Sequence, residues 1–233
     1  MSIIPKTWHS SWNAFMTESI IEELKEIESK IGKNIYPEEK NVLRFLNNDL
    51  NNVKCIIVGM DPYPSSFSKN GKEIPIATGR SFEVQNIENW QQKFKQSSLR
   101  NILKTIYYNK TGQKKSMEEL RDMIEKKEFC IKQPKEWFDS LENQGVLFLN
   151  ASLTVEPGKP DSHRKIWNKF MTKLIKYISQ NKNIKWLLWG DKAKTRVLPI
   201  IDESTAIISQ HPRLDGFVKE NCFKEIKEIN WYG

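Results

Sequence analysis

Four short apolar runs stand out in a strongly polar chain, at 53–58, 146–149, 184–189 and 205–209. They are rich in Val, Ile, Leu and aromatic residues and do not alternate with polar ones, the pattern of strands buried on both faces. Between them the apolar positions take a helical period. In 17–31 they fall at Ile20, Leu24, Ile27 and Ile31, with Gly32 placed for an αL stop. In 163–179 they fall at Ile166, Phe170, Leu174 and Ile178, and further helices are predicted over 98–108, 116–127 and 191–198. Another is expected to open at Pro37, with Glu38 and Glu39 in its first turn and Val42, Leu43, Phe45 and Leu46 turned inward. Strands alternating with helices predict an α/β fold of three layers, α/β/α, around a central four-stranded, mainly parallel sheet.

No internal repeat, low-complexity tract or Gly/Ser linker interrupts the pattern, so a single domain over 1–233 is expected. Open parallel sheets bind ligands beyond the carboxyl ends of their strands. The residues following the four runs are therefore the candidates for chemistry. They are Gly59-Met60-Asp61-Pro62-Tyr63-Pro64, then Asn150-Ala151-Ser152, then Gly190, then Gln210-His211-Pro212-Arg213.

Composition narrows the class. The 233 residues are 38% hydrophobic, 28% charged and 11% aromatic, which excludes collagen-like, disulfide-scaffold and disordered chains. Lys and Arg number 37 against 29 Asp and Glu, a net +8 that suits a polyanionic partner only if a site is built to use it. No run is long enough for a membrane span and the first residues lack a signal-peptide core, so an intracellular, cytoplasmic protein with no membrane partner is expected. Cys55, Cys130 and Cys222 are widely spaced and have no histidine cluster beside them, which argues against structural zinc and disulfides. No metal and no cofactor is expected.

One carboxylate, one imidazole and one carboxamide at neighbouring strand ends, with no thiol nucleophile beside them, suit hydrolysis: Asp61 activates water and His211 stabilises a departing anion. Singly, each has a blander explanation, Asp61 as a turn cap and His211 as a surface histidine. Their convergence on one rim favours chemistry.

The residues also carry a resemblance. Gly59-Met60-Asp61-Pro62-Tyr63 resembles the water-activating G-Q-D-P-Y-H loop of the family 1 uracil-DNA glycosylases. Gly79-Arg80-Ser81-Phe82-Glu83-Val84 resembles their G-L-C-F-S-V segment, and Ser98-Leu99-Arg100-Asn101-Ile102 the end of their Pro-rich loop. The stretch from Gln144 through Asn150 to Val155 is similar to the Q-G-V-L-L-L-N-x-x-L-T-V strand. Ser162-His163 with Trp167, Leu187-Leu188-Trp189-Gly190, His211-Pro212 and Asn230-Trp231 follow in family order, so that the likeness runs from about Tyr36 to Trp231.

The resemblance implies the glycosylase fold and excision of uracil from single- or double-stranded DNA by flipping the nucleotide out of the stack. It implies Asp61 and His211 as catalytic residues, with His211 neutral and donating to uracil O2. Asn150 would read uracil N3–H and O4, Tyr63 would exclude a thymine methyl, Phe82 would stack on the base, and Met60 would lie against it. The alternative for Phe82 is ordinary core packing. Pro64, Ser98, Lys192, Arg213 and Leu214 would contact DNA, whereas His163 would brace a loop. A monomer is expected, with a proteinaceous inhibitor or a replication factor as candidate protein partners.

The sequence departs from the pattern in places. Met60 and Pro64 replace the Gln and the His of the first loop, and 65–78 reads as a longer loop than usual; poxvirus members also carry the proline. Arg213-Leu214-Asp215-Gly216 replaces S-P-L-S after His211-Pro212, leaving either Leu214 or Arg213 to fill the gap in the duplex. Asp191 stands where a phosphate-gripping serine is usual, with Lys192, Lys194 and Arg213 available to compensate. These changes keep open a glycosylase-like DNA-binding subunit of a replication complex with little or no excision. Excision of another deaminated base is disfavoured, because Asn150 and Tyr63 suit a bare pyrimidine.

Overall fold

The computed structural model describes residues 2–233. Its strands are β1 (Cys55–Gly59), β2 (Ser66–Lys69), β3 (Lys72–Pro75), β4 (Val146–Asn150), β5 (Lys185–Trp189) and β6 (Ala206–Ser209). The helices are α1 (Glu18–Ile31), α2 (Glu39–Val42), α3 (Ser97–Thr111), α4 (Met117–Glu125), α5 (Pro134–Asn143), α6 (Arg164–Ile178), α7 (Asp191–Val197) and α8 (Gly216–Glu220).

The central sheet has the order β4-β1-β5-β6 and is parallel throughout. Because strand side chains alternate, each strand serves two cores. Ile56, Val58, Leu147, Leu149, Trp186 and Leu188 face one helical layer, meeting Leu24 and Ile27 of α1 and Phe170 and Leu174 of α6. Cys55, Ile57, Val146, Phe148, Leu187 and Trp189 face the other, meeting Leu99, Ile102 and Ile106 of α3 and Trp137, Phe138 and Leu141 of α5. This is the expected three-layer α/β/α architecture. From β1 the chain runs outward to β4, then crosses back to β5 and β6. The crevice beyond the carboxyl ends of β1 and β5 is thus the topological switch point.

Three local expectations need correction. The stretch 65–78 is not an open loop: β2 and β3 pair antiparallel across Asn70-Gly71, both at positive φ (54° and 72°), a short hairpin rooted beside Pro64. The helix expected from Pro37 begins only at Glu39, lasts one turn and tightens to a 3₁₀ turn over Arg44–Asn47, although Val42, Leu43, Phe45 and Leu46 are all buried. The Asn- and Asp-rich stretch from Asn47 to Asn52 favours its own turns over helix. Gly32 ends α1 at φ 70° and ψ −164°, outside the αL well.

Candidate active site

At the carboxyl end of β1, Gly59 lies in register with Asn150 of β4. A Cβ on Gly59 would land on Asn150 Oδ1 and come within 2.8 Å of Ser81 Cβ, so only glycine lets the two strand ends and the Phe82 segment close up. Past the strands, Ala151 N donates to Gly59 O and Ser152 N to Met60 O, both at 2.9 Å. These bonds fix where Asp61 emerges. Asp61 Oδ2 accepts from the backbone N–H of Asp161 at 2.8 Å. Burial pushes the Asp61 carboxyl above the usual carboxylate range; the charge of Asp161 adds to the rise, and the Asp161 hydrogen bond and Lys192 oppose it.

His211 follows β6. Its Nδ1 accepts from Arg213 N at 3.1 Å, an assignment that places the proton of the neutral ring on Nε2. Burial holds its pKa below the ordinary imidazole value, and the charges of Arg213 and Lys192 lower it further. The ring is seated by Gly190 after β5, where a Cβ would come within 2.8 Å of His211 Cβ.

Asn150 is only 3% exposed, yet its carboxamide makes no hydrogen bond within the chain among the described residues. Such a group is costly unless something in the cavity satisfies it. Phe82 is half-buried at φ 64°, with its ring centroid 5.1 Å from that of Trp189 and 6.3 Å from that of His211. Its ring therefore forms a wall between core and cavity. Tyr63 is partly buried, and burial pushes its hydroxyl up to about 12.

These side chains bound a cavity of about 190 Å³ lined by Met60, Asp61, Tyr63, Pro64, Phe82, Ser98, Asn150 and His211, with Pro160 at its rim. That is below the roughly 300–1,000 Å³ of sites for drug-sized ligands, a size for one small ring. Met60, Asp61 and His211 also line an adjoining groove of about 630 Å³, whose other walls include Lys192, Lys194, Ile208, Arg213 and Leu214. Asp61, His211 and each residue the resemblance gives a base-binding or DNA-binding place line one space or the other, whereas Ser152 and Pro212 line neither. Asp191 lines the groove too, so it faces the same space as the lysines that were to offset it.

A uracil-DNA glycosylase from Buchnera aphidicola subsp. Baizongia pistaciae is 33% identical over 185 residues, covering 77% of this chain and 69% of that protein. One from Francisella philomiragia is 30% identical over 222 residues, covering 88% of each. The chain belongs to the uracil-DNA glycosylases. No family model matches it. The fold of this glycosylase is also that of the crystal structure of the Nitratifractor salsuginis enzyme, with a TM-score of 0.71 at 20% identity over 93% of this chain and 89% of that one.

Two features of the glycosylase site escape sequence reasoning. Asp161, at φ 65°, acts on Asp61 through its backbone N–H, which every residue but proline carries; its place beside Ser162-His163 is the only signal. Ile208 is 45% exposed on the edge strand and lines the groove, although as part of the apolar run 205–209 it reads as core. His163 is buried, with Nδ1 2.9 Å from Thr154 Oγ1, which accepts from Trp167 Nε1 at 2.7 Å. It braces the loop that carries Asp161. Among the described residues no His, Cys, Asp and Glu group could hold a metal ion, and no helix is long and apolar enough to cross a membrane.

Proposed function

We propose that this glycosylase hydrolyses the N-glycosidic bond of deoxyuridine in DNA, as a cytoplasmic repair enzyme acting as a monomer, and leaves an abasic site. The observation that carries the reading is the single small cavity shared by Asp61, His211, Asn150, Tyr63 and Phe82. A uracil flipped into it lies between the Phe82 ring and the opposing loop, with its N3–H and O4 against the unpartnered Asn150 carboxamide. Cytosine, with donor and acceptor exchanged, leaves that carboxamide mispaired.

As the bond from C1′ to N1 breaks, its electron pair passes to the base and the sugar becomes cationic. The neutral His211 donates from Nε2 to uracil O2, where negative charge collects. Asp61 faces the sugar, stabilises its positive charge and takes the proton of the water that adds to C1′. Pro64 and Ser98 at the cavity mouth and Lys192, Lys194 and Arg213 in the groove hold the strand, and Leu214 or Arg213 fills the space left by the base. A protein inhibitor or replication partner would meet the enzyme at this same groove.

The test is uracil release, in EDTA, from matched single-stranded and duplex oligonucleotides carrying one uracil, with Asp61→Asn protein as the control. Cleavable abasic product from the wild type alone is the expected result. Intact DNA binding without product would replace this reading with that of a binding subunit.

A further inference from the structure

Phe82 carries an aromatic side chain at φ 64°, a conformation that a bulky residue keeps only where its surroundings enforce it. The enforcement comes from a buried set of charges that brackets it in sequence. Arg80 and Glu83 are each 5% exposed, and Arg80 Nη1 meets Glu83 Oε1 at 3.1 Å, which closes the chain in a loop around Phe82. Arg80 also reaches α5, pairing with Asp139 at 2.7 Å and with Glu142. Asn48 Nδ2 donates to the other Glu142 oxygen at 2.9 Å. Within the loop, Ser81 Oγ donates to Ile57 O of β1 at 3.0 Å. The turn is thereby tied to the sheet on one side and to α5 on the other. Neither Arg80 nor Glu83 lines the base-sized cavity, so neither can touch what binds there.

Buried ion pairs are weak sources of stability, because apolar groups of similar volume often do as well; what they supply in some proteins is defined geometry. We propose that the Arg80–Glu83 pair, anchored on α5 through Asp139 and Glu142, is a positioning device that fixes the Phe82 ring as the rigid wall of the base cavity. The proposal rests on the reading of Phe82 as the surface on which the base stacks. A wall set in advance spares the flipped base the cost of ordering it. Loosening the pair therefore weakens base binding more than it slows the bound substrate.

The experiment is a cycle of four proteins: wild type, Arg80→Met, Phe82→Ala and the double variant. For each, kcat and KM on a uracil-containing single strand and the inhibition constant of free uracil are measured beside the thermal midpoint. Arg80→Met is expected to raise KM and the uracil inhibition constant about tenfold with a smaller change in kcat, and to add less than about twofold in the Phe82→Ala background. Glu83→Gln, which weakens the pair with little change of shape, goes through the same cycle with a smaller effect of the same kind and serves if Arg80→Met does not fold. Losses that multiply with those of Phe82→Ala, or a lowered midpoint with KM and uracil inhibition unchanged, overturn the proposal while leaving the stacking reading intact. A Phe82→Ala protein with unaltered uracil inhibition overturns the stacking reading, and the positioning role with it.

Discussion

The backbone N–H of Asp161 donates to Asp61 Oδ2 at 2.8 Å across 100 residues of sequence. One carboxylate oxygen is thereby fixed by the chain itself, and in the proposed reaction the other takes the proton from water. Asp61→Asn preserves an acceptor for that N–H and removes the carboxylate's charge and its basicity together. Excision under single-turnover conditions should fall by about 10²–10⁴-fold, the usual worth of a positioned general base, with DNA affinity by anisotropy unchanged.

The same substitution bears on stability. The Asp61 carboxyl titrates above its ordinary value in the folded protein, mainly through burial. The folded state then holds this proton more tightly than the unfolded one, so stability falls as pH rises from the ordinary Asp value through the folded value, and the deficit persists at neutrality. Asp61→Asn should therefore melt higher than wild type near pH 7 and converge with it in acid, as followed by thermal denaturation across pH. Equal midpoints at pH 7 would mean that the buried charge costs nothing.

The charge of Asp161 adds to the rise at Asp61. Asn tolerates the positive φ of this position and keeps the backbone donor. Asp161→Asn should shift the acid limb of kcat/KM to lower pH and leave the plateau within about twofold. The pKa of His211 is itself lowered by burial and by the charges of Arg213 and Lys192, so Asp161→Asn, which leaves those cations in place, separates the Asp61 titration from that of the imidazole. An unmoved limb would remove Asp161 from the electrostatics of the site.

How much of this is legible in the sequence depends on what each residue contributes. The sheet is legible because both faces of its strands are buried, so each run is continuously apolar and its end marks the rim. The hairpin of β2 and β3 is not, because most of its residues are exposed and no apolar run forms; Asn70-Gly71 is its one local sign. Arg80 and Glu83 look like surface in a chain that is 28% charged, and only tertiary neighbours, Asp139 and Glu142 of α5 for Arg80 and Arg44 for Glu83, reveal the buried set. Asp161 acts through its backbone, which leaves no trace in residue type.

On the proposed reading, selectivity for the base divides between two side chains. The Tyr63 ring is partly buried against the core and lines the cavity, so Tyr63→Ala opens space there without removing a hydrogen bond to the base. Thymine release from a thymine-containing strand, absent in wild type, is the expected gain, and its absence would count against the steric argument. Asn150→Ala instead removes the carboxamide. Loss of two hydrogen bonds of about 0.5–1.5 kcal/mol each should lower kcat/KM for uracil by roughly fivefold to 150-fold.

Leu214 is 49% exposed, an unusual state for a large apolar side chain, and its turn is held from beneath. Its own N–H donates to His211 O at 2.8 Å, and Asn101 Nδ2 of α3 donates to Pro212 O at 2.8 Å. A rigidly presented apolar tip at the edge of a basic groove suits insertion between bases, which matters only where a stack must be opened. Leu214→Ala should lower excision from duplex about tenfold and leave single-strand excision within about twofold. Arg213 makes no ion pair among the described residues, and its charge lowers the His211 pKa. Arg213→Ala should weaken both strands alike, reduce the salt slope of binding by about one, and let the His211 pKa rise. Duplex-selective loss in Arg213→Ala, with Leu214→Ala unimpaired, would assign the wedge to the arginine instead.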